Sequence, residues 1–505
     1  MRMVAALPAW TCCDVGHRGV HRRVRRPVTL RGNVGRQPLQ SGRADTDLLI
    51  MCGLEGRYAA PRAKRWDHPG GWMAMNADAV ESPPDVGSAP VADEVVGLPV
   101  AKRGGSGQPF RPDIEGMRAI AVGLVLLFHG YKYPFTGGFV GVDVFFVISG
   151  FLITSLLVRE QTTSGRISIL GFYARRARRI LPASALVVLA TIGATYYLLG
   201  FIAGNNVAND AQWTSVFAAN IHFGLIGTDY LGSQLPPSPL QHMWSLGVEE
   251  QFYVVWPALF LVMVLIVRGA RHRTAMAAVL TTIIGASLAW SVIQTISNAT
   301  WAYFSPFTRA WELALGALVA VMAPAISRIS LAWVSEILAV CGLVGITVSA
   351  LVLNSFTPYP GSAVALPVVS SAVLIAAGCA NPKTVVGRGL SVRPMQWLGA
   401  RSYSLYLWHW PVLIIASEYA GHELSGWQNT GLLLVAVVAC ALSYQLVENP
   451  LRRARFLTTR TWLSLAMGAM LIVGTIAVAQ WQIATHYGTW NLFQTNDTTP
   501  SLYES

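Results

Sequence analysis

The chain has 505 residues, of which 53% are hydrophobic and only 12% charged, with a mean hydropathy of +0.46. A soluble domain carries about 25% charged residues, so this composition excludes an ordinary soluble enzyme, and for the bulk of the chain it excludes disorder, collagen and a disulfide scaffold. The net charge of +12 would suggest nucleic acid in a soluble protein, but in a membrane protein it marks Arg-rich cytoplasmic loops.

Residues 1–108 hold 15 Lys+Arg against 10 Asp+Glu, are rich in Gly, Pro and Ser, and show no apolar period. They are expected to form a disordered, solvated cytoplasmic tail. Their apolar run Val4 to Trp10 is too short, with no clean cleavage site after it, to read as a signal peptide. The six Cys have neither CxxC nor zinc spacing, so no metal site is expected.

From residue 114 apolar stretches of about 20 residues follow one another, the length that crosses a bilayer as a helix. Eleven are expected: 114–132, 138–158, 180–202, 245–267, 275–296, 305–323, 333–353, 361–379, 395–417, 428–447 and 461–483. Basic residues fall in alternate connections. Arg175, Arg176, Arg178 and Arg179 lie between spans two and three. Arg268, Arg271 and Arg273 lie between four and five, and Arg328 follows six. Lys383, Arg388 and Arg393 lie between eight and nine, and Arg452, Arg453, Arg455 and Arg460 between ten and eleven. The other connections, such as 203–240 and 354–360, carry no Lys or Arg, and the first has only Lys132. The positive-inside rule then puts the N-terminus in the cytoplasm and the C-terminus outside. Nucleic-acid binding by the membrane part is not expected.

Ionisable groups inside spans are costly and point to function. Arg118 and His129 are eleven residues apart, about three turns, so they share a face of span one about 16 Å apart. They cannot touch, but they can hold two parts of one long ligand. Asp143 reads as a lone carboxylate early in span two, and Gly137, Gly138, Gly141 and Gly150 as helix-packing positions. Span four opens with Ser245, a candidate N-cap, followed by Glu249 and Glu250, of which capping and the helix dipole explain one comfortably. Arg309 and Glu312, at i,i+3, can form an ion pair within span six. His409 stands between Trp408 and Trp410, which can mark an interfacial belt. By this topology His129, Glu249, Glu250, Arg309, Glu312 and His409 lie in outer halves of spans and Arg118 near an inner end, as if lining a cavity through the bundle.

A series of strings, in order along the chain, also carries a resemblance. They are Arg111-Pro112-Asp113-Ile114-Glu115-Gly116-Met117-Arg118; Phe128-His129; Gly138 to Ile153; Phe172 to Pro182, which contains Arg175, Arg176, Arg178 and Arg179; His242-Met243-Trp244-Ser245-Leu246-Gly247-Val248-Glu249-Glu250-Gln251-Phe252-Tyr253; Arg309-Ala310-Trp311-Glu312-Leu313 with Tyr403 to Pro411; and Val447-Glu448-Asn449-Pro450-Leu451-Arg452-Arg453. Over about 350 residues the chain resembles the membrane acyltransferase-3 family, glycan O-acyltransferases of bacterial envelopes. The family usually has Glu then Asp where this chain has Asp113 then Glu115. The resemblance implies an all-α integral membrane protein with a ten-helix core over 109–457, and an acyl-CoA donor on the cytoplasmic side. It also implies that the Arg118–His129 pair is central to transfer. Longer members add an eleventh helix and an extracytoplasmic SGNH hydrolase-like domain. The segment 458–505 supplies such a helix and a short tail without a Gly-Asp-Ser block, so a truncated form or an SGNH-type partner in trans is expected.

The expected reaction moves an acyl group, acetyl first, from cytosolic acyl-CoA to a hydroxyl of an extracytoplasmic glycan or glycolipid, from the bacterial plasma membrane and without a bound cofactor. Arg118, Arg175, Arg176, Arg178 and Arg179 are the candidate donor-phosphate ligands. His129 is the candidate base or acyl carrier, His409 a second base, and Glu250 or Glu249 a candidate to orient a His. Asp113, Glu115, Asp143, His242, Arg309 and Glu312 are supporting. The competing expectations are a transporter or flippase of a lipid-linked sugar, and a non-catalytic membrane partner of a separate hydrolase.

Overall fold

The computed structural model describes residues 110–487 apart from Lys132, Asp229, 232–235, 268–271 and Ser330. The tail expected over 1–108, Arg268, Arg271 and the residues after 487 lie outside the described residues. Every regular element described is helical: α1 (Pro112–Tyr131), α2 (Gly141–Ser164), α3 (Ile169–Leu199), α4 (Phe201–Ser215), α5 (Ala219–Leu225), α6 (Trp244–Ile266), α7 (His272–Ser297), α8 (Ala299–Phe304), α9 (Pro306–Ile326), α10 (Ala332–Val352), α11 (Ala365–Ala380), α12 (Val385–Leu390), α13 (Arg393–Ala420), α14 (Gly426–Ser443), α15 (Asn449–Arg453), α16 (Arg455–Thr459) and α17 (Thr461–Tyr487). The protein is an all-α integral membrane protein.

Nine of the described helical stretches are long and apolar enough to cross a membrane. The other two of the eleven expected spans are α11 and α13. The first has only 16 residues. The second has 28, but Arg393, Arg401, His409 and Glu418 lower its apolarity. Its inward face is nonetheless buried.

Three local features differ from the expected layout. Helix α3 starts eleven residues before the apolar run, because the Ser168 hydroxyl caps it by accepting from Gly171 N at 3.2 Å. The Arg175–Arg179 cluster therefore lies on a helix, not in a loop. The expected outer loop 203–240 contains α4 and α5. Their Asn, Asp and Gln residues depress the hydropathy, while Val207, Ala208, Ala211 and Phe223 are buried in the core. The expected cap Ser245 is no cap: α6 begins one residue earlier, after Met243, and Ser245 hydrogen-bonds the Tyr406 hydroxyl at 2.8 Å.

Packing rests on backbone contact at glycines. A Cβ placed on Gly150 of α2 would lie 1.9 Å from the Leu313 carbonyl oxygen of α9, and one on Gly316 of α9 would lie 2.0 Å from the Val147 oxygen of α2. The two helices thus touch main chain to main chain, as the glycines of span two predicted. That contact sets the spacing of the charged groups carried just above it.

Candidate active site

Four polar clusters among the described residues carry the groups singled out from the sequence. The first lies at the end of α1 distal to Arg118. His129, half-buried in the last turn of α1, has its Nδ1 3.0 Å from Nε2 of the buried His409 on α13. His409 Nδ1 in turn lies 2.6 Å from the Tyr406 carbonyl. A carbonyl only accepts, so His409 Nδ1 carries the proton and its Nε2 is a lone pair. With both rings neutral, His129 must then donate from Nδ1. The free lone pair of His129 is on Nε2, which faces the Tyr230 hydroxyl at 3.4 Å. Burial pushes the Tyr230 phenol above its ordinary range, so it stays a neutral donor.

Aromatic rings wall this centre. Trp410 packs on His129 with ring centres 4.4 Å apart, and the planes of the two hydrogen-bonded imidazoles lie within 13° of parallel, centres 5.3 Å apart. Trp410 is buried, so it is not the interfacial marker expected from its sequence; its neighbour Trp408 is tied by its indole N–H to the Ser443 hydroxyl at 3.0 Å. His242 joins the pair edge-on, 5.7 Å from His409. Pro411 explains its setting. A proline lacks the N–H that would bind the Leu407 carbonyl four residues back, and that carbonyl is the backbone acceptor facing His242. Neither His242 ring nitrogen reaches good hydrogen-bond geometry among the described residues.

The second cluster corrects the reading of Asp143 as a lone carboxylate. Arg309 donates from Nη1 to Asp143 Oδ1 at 2.9 Å and to Glu312 Oε1 at 3.1 Å, and from Nε to the Tyr303 carbonyl at 3.2 Å. The Tyr359 hydroxyl donates to Asp143 Oδ2. Burial, then the Asp143 charge, push that phenol up. Trp244, Tyr303 and Tyr359 surround the guanidinium at 5.1–5.4 Å. The i,i+3 ion pair expected from sequence forms, but as part of a network across three elements. Nothing in the sequence placed Tyr359 there.

The third cluster corrects the role given to Glu249 and Glu250. Neither bonds a histidine. Glu249 accepts from Ser149 at 2.5 Å and from Tyr253, one turn along its own helix. Glu250 accepts from Arg176 at 3.2 Å, and Arg176 lies over the Tyr253 ring at 3.8 Å. The six groups expected to share the outer halves of their spans are thus split between separate clusters.

The fourth cluster lies at the Arg118 end. Arg118 pairs with Glu115 at 3.3 Å, and Asp113 with Arg111 at 2.5 Å. The five candidate donor ligands divide. Arg175 is held by Glu160 at 3.0 Å, and Arg178 by the Leu457 carbonyl at 3.0 Å and the Ser464 hydroxyl at 2.7 Å, so Arg178 ties α3 to α17. Arg179 makes no ion pair or hydrogen bond among the described residues and stands within electrostatic reach of Arg118, Arg176 and Arg452. These four guanidiniums repel one another, an effect offset in part by Glu115 beside Arg118 and by Glu250 and Glu249 near Arg176.

Fold and clusters define a polytopic membrane protein with a tautomer-locked histidine couple at one end of α1 and a convergence of arginines at the other. The family model described as an acyltransferase domain matches residues 111–445, and the chain belongs to that family. It is 33% identical over 359 residues to the Bacillus subtilis protein named "Putative peptidoglycan O-acetyltransferase YrhL", covering 68% of this chain and 55% of that one. It is 30% identical over 360 residues to "Peptidoglycan O-acetyltransferase OatA" of Listeria monocytogenes, covering 68% and 56%. The chain thus spans just over half the length of these curated relatives. No solved structure matches it.

Proposed function

We propose that the chain transfers an acyl group, acetyl first, from cytosolic acyl-CoA to a hydroxyl of an extracytoplasmic glycan, with peptidoglycan as the acceptor class that the relatives' names suggest. The observation that carries this reading is the relay Tyr406 carbonyl–His409–His129, which leaves the lone pair of His129 on Nε2, the nitrogen that faces the Tyr230 hydroxyl. Arg118, Arg179 and Arg176 bind the donor phosphates, and the pantetheine arm runs along α1, whose eleven-residue step from Arg118 to His129 spans about 16 Å. The acceptor hydroxyl oxygen bonds to the thioester carbonyl carbon as its proton passes to His129 Nε2. The C–S bond then breaks and the CoA sulfur takes that proton back. His409 stabilises the transient imidazolium through Nε2. The Tyr230 hydroxyl, 3.4 Å from His129 Nε2, would donate to the developing oxyanion.

This direction of transfer requires the Arg118 end to face the cytosol, in keeping with the basic connections on that side. An SGNH-type extracytoplasmic partner would carry the group onward. The test is the purified chain in nanodiscs with acetyl-CoA and glycan fragments, with free CoA and acetylated product both measured. His129→Ala is expected to abolish CoA release, and Arg118→Ala to raise the donor KM. If both variants retain full transfer, the reading is wrong.

A further inference from the structure

Helices α4 and α5 take no part in the proposed chemistry, and of the segment that follows them only Tyr230 does, yet together they hold a buried carboxylate with specific partners. Asp210 on α4 accepts from His222 Nε2 of α5 at 2.9 Å through Oδ1. Through Oδ2 it accepts from the Ser238 hydroxyl at 2.5 Å. Asp210 and His222 are both buried. Ser238 lies in Pro236-Pro237-Ser238-Pro239, where three of four residues lack an N–H. Such a segment has few backbone donors with which to fix itself. The Ser238 side chain therefore does the fixing: its hydroxyl also accepts from Leu240 N at 3.1 Å.

The Ser238 carbonyl accepts from the Trp410 indole N–H at 2.9 Å and from Gln241 N at 2.9 Å. Trp410 is the ring packed on His129. A continuous path of contacts thus runs from Asp210 through Ser238 and Trp410 to His129. Its far end is rigid. Gln251 of α6 donates to the Phe217 carbonyl and to Asn220 Oδ1, both at 2.9 Å, and Asn220 donates to the Phe304 carbonyl at 3.1 Å. These bonds hold the α4–α5 turn, where Phe217 has φ of 57°, a backbone conformation that a bulky residue adopts only when its surroundings impose it.

We propose that Asp210 is a positioning residue for the His129 centre: through Ser238 it fixes the Trp410 ring, and Trp410 fixes the plane of the His129 imidazole. The proposal rests on the acyl-transfer reading only for its kinetic consequence. The geometric link stands apart from it.

The experiment uses the full chain in nanodiscs, labelled with 15N-Trp, with the Trp410 indole signal assigned by its loss in Trp410→Phe. In Asp210→Ala that signal is expected to move and its N–H to exchange faster. With acetyl-CoA, kcat is expected to fall about ten-fold while the donor KM holds, since a small misplacement of a reacting group is enough for such a loss. Asp210→Asn keeps an oxygen for the Ser238 hydroxyl and is expected to restore most of the rate. In a Trp410→Phe background, Asp210→Ala is expected to cost nothing further. Should Asp210→Ala fail to fold, Ser238→Ala cuts the same link while leaving the carbonyl in place. An unmoved Trp410 signal, or the same kinetic loss with and without Trp410, overturns the proposal. If the wild-type chain releases no CoA, the acyl-transfer reading falls, and the indole signal still decides the link.

Discussion

His409→Leu isolates the relay. The substitution keeps an apolar side chain in a buried position and removes the acceptor that His129 Nδ1 meets at 3.0 Å. In the resting state this leaves one N–H unpaired. In the proposed transfer the loss is larger, because His129 would gain a positive charge as Nε2 takes the proton and the bond to His409 would become charge-assisted. Such a bond contributes about 1.5–3 kcal/mol. At about 1.36 kcal/mol per tenfold in rate, kcat should fall roughly 10- to 150-fold. The donor KM should hold, because Arg118 lies about three turns down α1 from His129, and Arg176 and Arg179 are on α3, none of them touching His409. His409→Gln, which keeps an acceptor, should recover part of the loss. The assay is CoA release at saturating acetyl-CoA in nanodiscs, with acetylated glycan read by mass spectrometry. If the Leu variant keeps kcat within about two-fold of wild type, or loses rate only through the donor KM, His409 does not hold His129 for transfer.

Arg179→Ala should raise the acetyl-CoA KM about ten-fold and weaken its salt dependence while leaving kcat near wild type, since one charge-assisted phosphate contact is worth about 1.5–3 kcal/mol; titration of the donor at two ionic strengths checks it. Arg309→Met should destabilise the fold by about 3–5 kcal/mol, because Asp143 and Glu312 remain buried without their guanidinium; thermal unfolding in detergent reads this. Gly150→Ala should cost about 1–3 kcal/mol, because the added Cβ meets a main-chain oxygen, which cannot swing away as a side chain would; the same melt reports it, and Gly123→Ala, where a Cβ meets open space, is the control.

Much of the membrane layout was legible because a bilayer imposes one period and one length on every span. The boundaries of α1, α6, α9 and α17 fall within a few residues of those read from hydropathy. Helix α4 was not legible as a helix, because Asn205, Asn209, Asp210 and Gln212 lower its hydropathy, and three of them are buried in the same packing as Val207, Ala208 and Ala211. At the site, His129, His409 and the Arg309–Glu312 pair stood out as ionisable groups in apolar surroundings. Their partners did not. Tyr359 and Tyr230 lie in connections, Asp210 in a segment read as a loop, and Trp410 looked like an interfacial marker. Contacts such as Glu250 with Arg176 join residues 74 apart in sequence, and no local pattern encodes which of two carboxylates meets a histidine and which an arginine.

Pro411 sits inside α13, beside the residue that holds the relay. An alanine there would return an N–H to the Leu407 carbonyl and complete the helix. It would also occupy the carbonyl that faces His242, in the same stretch of α13 that carries His409 and Trp410. Main-chain continuity and site geometry are therefore in competition along this one stretch of helix. A screen for heat-resistant variants should find Pro411→Ala among its gains and low turnover among that variant's costs. Selection for stability alone would thus drift away from this arrangement of the histidine couple.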